Sequence, residues 1–207
     1  MKIKYYGNSC FLFKAKGTKL ITNPKDSSVK VNLKRIGPDI VAITHKMNID
    51  ENKYYLISSP GEYEVKDVFV YGYLSDLNGG KGTKEVGLKS TTLLADIYMF
   101  DVEDIHLSII DKGVKKVRKA VLDEMGIVNV LFVSLDQKDG MKLKKIVDLV
   151  NEIEPQIVVP MDYTKELLDN FVKVMGVKEV EKLKVLDIKS NDFSDEELPM
   201  RIVFIEK

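Results

Sequence analysis

The sequence predicts a mixed α/β protein of layered sheets with helices packed outside them. Two observations lead there. The first half is a series of short β-branched and aromatic runs divided by glycine turns, and the second half alternates apolar strands with amphipathic helices. Each helix carries an apolar face that has to be buried against another layer. With 207 residues, 44% of them hydrophobic, the chain has material for a substantial core and reads as a single domain spanning 1–207.

The elements follow in order. Runs 2–6, 10–15 and 18–22 are strands separated by Gly7 and Gly17. Entered through Gly37-Pro38, the run 39–44 is too short for a helix and apolar enough for a fully buried strand. Segments 62–65 and 68–73 alternate around Lys66-Asp67 and predict a tight hairpin after the Ser59-Pro60-Gly61 turn. Strands 91–100 and 104–110 come next. Val114, Val117, Val121 and Met125 then recur at helical spacing, followed by a strand over 128–135. Leu143, Ile146, Val147, Val150 and Ile153 mark a second helix, 156–160 a buried strand, and 165–175 a third helix stopped by Gly176. Strands 184–188 and 200–205 close the chain, with a polar acidic loop over 190–199 between them.

Composition removes several classes of function. Lys and Arg number 32, as do Asp and Glu, so the formal charge is zero, whereas a dedicated nucleic-acid binder needs a basic excess for its phosphate contacts. The basic run 112–119, with Lys142, Lys144 and Lys145, reads as the solvated face of helices. No segment approaches the ~20 apolar residues that span a bilayer, and the first residues have no leader-like core, so a cytoplasmic protein without a membrane partner is expected. The lone Cys10 reads as a small buried apolar residue. Asn78-Gly79-Gly80-Lys81-Gly82 lacks the flanking strand and helix of a phosphate-cradling loop and reads as a surface loop. The Tyr- and Val-rich hairpin over 62–73 is a candidate homo-oligomer interface.

Chemistry has few places to sit. Of the two histidines, His45 and His106, the first directly follows an apolar strand, where open sheets commonly present binding and catalytic groups. His45 with Asp50, Asp162 and Glu62 is a candidate acid/base cluster, since carboxylates orient an imidazole and raise its pKa.

The order of landmarks adds to this. Tyr6-Gly7-Asn8-Ser9-Cys10-Phe11 is followed by Thr22-Asn23-Pro24, then by 39–44 with His45, then by Ser59-Pro60-Gly61-Glu62-Tyr63-Glu64. His106-Leu107-Ser108 comes next, and Pro160-Met161-Asp162-Tyr163 after Glu154-Pro155-Gln156-Ile157-Val158-Val159. This series resembles the metallo-β-lactamase superfamily, in particular its small bacterial branch of predicted metal-dependent hydrolases, over almost the whole chain. The resemblance implies a four-layer αββα sandwich. It also implies a site where histidines and carboxylates hold one or two metal ions that activate water.

At the positions the resemblance marks as ligands, this chain departs from the pattern. Thr44 and His45 match the start of the Thr-His-x-His-x-Asp-His motif, but Met47, Ile49 and Asp50 stand where its second histidine, aspartate and last histidine belong. The match from His106 puts Ile109 at the bridging aspartate, Asn8 replaces an early histidine, and Asp162 replaces that of Pro-Met-His-Tyr. Isoleucine coordinates nothing, and a thioether is a soft donor unsuited to an oxygen and nitrogen site. The expectation is therefore a degenerate site without a bound metal, in a non-catalytic binding or scaffold protein. The alternative is a hydrolase of phosphodiester or ester bonds with one Zn²⁺, Mn²⁺ or Mg²⁺ ion held by His45, Asp50 and Asp162.

Overall fold

The computed structural model of the chain describes residues 1–25, 29, 31–75, 94–136, 138, 140–177, 180–194 and 199–207. The Gly-rich stretch 78–82, the start of the strand expected at 91–93 and residues 195–198 of the acidic loop lie outside them.

Two sheets form the body. The first is built from β1 (Lys2–Gly7), β2 (Cys10–Lys14), β3 (Lys19–Thr22), β4 (Ile40–Ala42), β5 (Tyr55–Ile57) and β13 (Leu186–Asp187), in the order β13-β1-β2-β3-β4-β5. The second contains β6 (Gly61–Val65), β7 (Val68–Tyr73), β8 (Ile97–Val102), β9 (Ile105–Ile110), β10 (Val130–Ser134), β11 (Ile157–Met161), β12 (Val180–Leu183) and β14 (Arg201–Ile205). Its order is β12-β14-β11-β10-β9-β8-β7-β6, with β9, β10, β11 and β14 mutually parallel. This parallel stretch explains why strands β10 and β11 read as continuous apolar runs: each is covered on both faces, and every residue of both is buried.

Between the sheets lies the largest apolar cluster, and aromatic rings stitch it together. Phe11 and Phe13 of β2 meet Phe132 of β10 at centroid distances of 4.6 and 5.5 Å, and Phe13 meets Phe100 of β8 at 5.7 Å. Each buried ring contributes about 1.5–3 kcal/mol by leaving water, with about 0.5–1.5 kcal/mol more per well-placed pair. Tyr98 of β8 is buried in the same layer, and its hydroxyl shares its one hydrogen between the carbonyls of Ile43 (2.9 Å), just past β4, and Ile57 (3.2 Å) in β5. Gly72 makes room for this ring: a Cβ there would lie 3.1 Å from Tyr98 and 2.9 Å from the Ser59 carbonyl.

Outside the second sheet, α2 (Lys119–Met125), α3 (Leu143–Ile153) and α4 (Lys165–Met175) bury Val121, Ile146, Val150 and Phe171 in a second cluster. Thr164 caps α4 by accepting the Leu167 N–H at 3.3 Å, and Gly176 ends it in the left-handed conformation, as expected. The outer face of the first sheet is covered differently. Among the described residues the single turn α1 (Leu33–Ile36) lies there, and the loop after β4 closes a small cluster with Ile49 over Cys10, Leu12, Ile21 and Val41. The sandwich thus has its four layers, one of them reduced to a turn and a loop.

Several expected elements shift. The helix predicted across Val114 and Val117 begins only at Lys119; both valines are buried, but from a non-helical segment laid over the sheet after the Gly113 turn. The strand over 184–188 is reduced to β13, while β12 lies just before it. Strand β5 and helix α1 were not expected, and residues 190–193 of the expected loop form a 3-10 turn.

Candidate functional site

The site forms where strands from both sheets end together. Thr22, the last residue of β3, donates its hydroxyl to the Ser9 carbonyl (2.7 Å) and accepts the Phe11 N–H (3.0 Å), which fixes the turn between β1 and β2. Asn23 follows in a left-handed conformation (φ 42°), which Asn tolerates better than most side chains. Its backbone N–H bonds to the Ala42 carbonyl at 3.0 Å, and its side-chain oxygen accepts the Thr44 N–H at 2.9 Å. The residue thereby sets the path of the chain leaving β4 toward His45.

Asn23 is also the hub of a buried polar network. Its Nδ2 donates to Ser9 Oγ (2.8 Å) and Thr44 Oγ1 (3.0 Å) and lies 3.4 Å from Asp111 Oδ2. The Thr44 hydroxyl donates to the same Asp111 oxygen, while Asp111 Oδ1 accepts the Lys112 N–H at 2.8 Å. His45 Nδ1 stands 3.7 Å from Asp111 Oδ2 and 3.3 Å from Thr44 Oγ1. Ser9 and Asn23 are fully buried, Asp111 almost so, and His45 keeps 35% of its side chain exposed. Nearby, Asp96 accepts from the Ser75 N–H (2.6 Å) and hydroxyl (2.5 Å); burial pushes its carboxyl above the ordinary value, against those hydrogen bonds.

Asp111 is the candidate site residue that sequence matching missed. Ile109, placed at the bridging position by counting from His106, is fully buried in the core between the sheets. The carboxylate arrives two residues later, as the first polar residue after the apolar run of β9, just as His45 follows the apolar run of β4. Strand ends, rather than motif letters, were the usable signal.

The other candidates are dispersed. Asp50 lies in an exposed turn, paired with Lys53 and accepting the Asn52 N–H at 3.2 Å; the lysine ammonium, above all through its hydrogen bond, holds this carboxyl below its ordinary range. Asp162, beyond β11 with φ 53°, lines a cleft of about 380 Å³ with Tyr5, Asn8, Lys112 and Asp136. Burial, and then the Asp162 charge, push the Tyr5 phenol upward. Glu62 is exposed on the edge strand β6 opposite Tyr71. His106 enters β9 at the far end of that strand and pairs with Asp101 at 3.4 Å.

These positions decide how a metal would fit. Among the described residues, no group of three or more His, Cys, Asp or Glu side chains could hold a metal ion, so the set His45, Asp50 and Asp162 expected for the single-ion alternative does not assemble. Met47 and Ile49 pack toward the apolar cluster under the loop. The donor set does not fit a pair of metal ions: one imidazole and one carboxylate are brought together, and the chain's own donors already hold that carboxylate.

The comparisons agree with this architecture. The family profile described as "Beta-lactamase superfamily domain" matches residues 2–162, and the chain belongs to that family. Among curated proteins it is 26% identical over 177 residues to a UPF0173 protein of Pyrococcus abyssi and 28% identical over 178 residues to one of Pyrococcus furiosus. Each of these alignments covers 79% of this chain and 83% of the relative. Both relatives come from archaea, so the family is not confined to bacteria. Among solved structures, it superposes on a candidate Zn-dependent hydrolase of the metallo-β-lactamase superfamily from Thermotoga maritima. That match has a TM-score of 0.73 and 21% identity, covering 99% of this chain and 98% of that one. The metallo hydrolase Igni18 of Ignicoccus hospitalis matches with a TM-score of 0.57 and 13% identity, over 84% and 90% of the two chains. At these identities the structures speak for the fold, which is the two-sheet sandwich expected. No helix among the described residues is long and apolar enough to cross a membrane.

Proposed function

We propose that this chain is a hydrolase-like protein of the metallo-β-lactamase fold that works as a binding or scaffold protein, without a dinuclear metal centre. One observation carries the reading. Asp111 takes hydrogen bonds on both its oxygens from within the chain, the Thr44 hydroxyl on Oδ2 and the Lys112 N–H on Oδ1, with the Asn23 amide alongside Oδ2. A buried carboxylate left without a counter-ion costs several kcal/mol, and this network offsets that cost from within the chain. The isoleucine at 49 supports the same reading by filling its place with apolar volume.

A second reading, a reduced mononuclear hydrolase, is favoured by the proximity of His45 to Asp111, two donors to which water could add the remainder of a shell. Turnover of an activated phosphodiester and an activated ester, measured with Zn²⁺ and with Mn²⁺, separates the two. The binding reading predicts rates equal to the metal-only background for wild type and for His45→Ala. Metal-dependent turnover in wild type that His45→Ala or Asp111→Ala abolishes would overturn it.

A further inference from the structure

A groove of ligand size lies away from this site, at the opposite end of the parallel strands. It has a volume of about 970 Å³. Its floor is a row of polar side chains one residue ahead of the buried ladder: Val130 of β10 registers with Leu107 and with Ile157, so His106, Asn129 and Gln156 stand side by side on three neighbouring strands. The His106 N–H donates to Asn129 Oδ1 (2.8 Å), and Asn129 Nδ2 donates to Gln156 Oε1 (3.1 Å). The walls are apolar. Ile127 and Val128 follow α2, Ile153 ends α3, and Phe193 and Met200 come from the closing segments of the chain.

Two features exceed what a sheet end needs. Asn129 is only 7% exposed, and its contacts with His106 and Gln156 use one amide hydrogen and one lone pair of the two each that the side chain offers. A buried amide with remaining capacity in a groove floor is the kind of polar group that fixes a ligand's orientation. Ile127, in turn, is 71% exposed at the rim, large apolar surface left open to water beside a groove of ligand size. The charge around it is one-sided. Asp104 and Glu154 are the charged residues of the lining, with no Lys or Arg among its described members.

We propose that this groove is a ligand site, for a flat, uncharged or cationic heterocycle bearing hydrogen-bonding ring nitrogens or amide groups on one edge, of the nucleobase kind. Its edge meets the row His106, Asn129 and Gln156. Its faces lie against the apolar walls and cover Ile127. A phosphate attached to such a ligand meets Asp104 and Glu154 with nothing to balance it, so the free base binds better than the nucleotide.

The test is a titration of the ¹⁵N-labelled full chain with adenine, repeated with AMP, following backbone amide shifts. The expected result is saturable adenine binding that shifts residues around Asn129 and Ile127 and leaves those around His45 unmoved, with AMP weaker by about tenfold or more. Ile127→Arg, an exposed position that the fold does not depend on, weakens adenine by a similar factor while Asn129→Ala reports on the floor. Absence of saturation up to the solubility of adenine, shifts clustered elsewhere, or AMP binding as well as adenine would each overturn the proposal.

Discussion

Asn23 holds a left-handed backbone conformation while its side chain reaches Ser9, Thr44 and the neighbourhood of the Asp111 carboxylate. An amide suits that position because it gives hydrogens to oxygens on one side and accepts the Thr44 N–H on the other. Asn23→Asp would set a second carboxylate beside Asp111 in a buried place, which raises the pKa of the pair. The expected outcome is a loss of about 1–3 kcal/mol at neutral pH in urea unfolding, shrinking as acid protonates one of the two; equal losses at pH 7 and pH 4 would contradict it. Asp96 follows the same sign. Its carboxyl is held above its ordinary value of 3.8, chiefly by burial, so the folded state binds this proton more tightly than the unfolded one. Stability from this group is present at low pH and is lost as pH rises through the range above 3.8. Asp96→Asn, which keeps an acceptor for the Ser75 N–H, should therefore gain on wild type between pH 4 and pH 7, and a difference independent of pH would count against this. At this scale the sequence was only half legible. His45 stood out because an apolar run announced it, whereas Asp111 was hidden by aligning letters from His106 instead of reading where β9 stops.

The strands that read most clearly are those whose burial is simplest. β4 and β11 are apolar throughout, and β10 up to its last residue, Ser134, because both faces are covered, and the hairpin of β6 and β7 turns at Lys66-Asp67, both in the left-handed conformation that a tight turn needs. Legibility failed where tertiary packing replaced local pattern. Val114 and Val117 keep helical spacing yet reach the core from a non-helical segment, and β5 is three residues long with Tyr55 exposed, too short to announce itself. The hairpin edge bears on the homo-oligomer expected there. Glu62 and Glu64 both face outward on β6, and two copies pairing antiparallel around Tyr63 would set Glu62 of one against Glu64 of the other. Glu64→Lys turns both repulsions into attractions and should raise the dimer fraction in light scattering over that of wild type; an unchanged fraction would show that this edge does not control association.

The whole molecule is an αββα sandwich with unequal outer layers. Three helices cover the eight-stranded sheet, while one helical turn and the loop carrying Met47 and Ile49 cover the six-stranded one. That asymmetry links fold and site. The loop that follows β4 is anchored by apolar packing at Ile49 and by the Tyr98 hydroxyl under Ile43, so the core and Asn23 set its position. The order of motifs made the sandwich legible from sequence, since fold survives in strand pattern and turns. What the site does was less so, because activity depends on a few side chains whose meeting points only the folded chain decides. The central claim, that the chain's own hydrogen bonds take the place of a metal centre, is tested most directly by urea unfolding of chelator-treated protein, measured without metal and then with Zn²⁺ or Mn²⁺. A site that held an ion in the folded state alone would gain about 2.7 kcal/mol at a metal concentration 100 times its Kd. The same unfolding midpoint is expected with and without metal, and a saturable, metal-dependent rise that His45→Ala removes would overturn this reading.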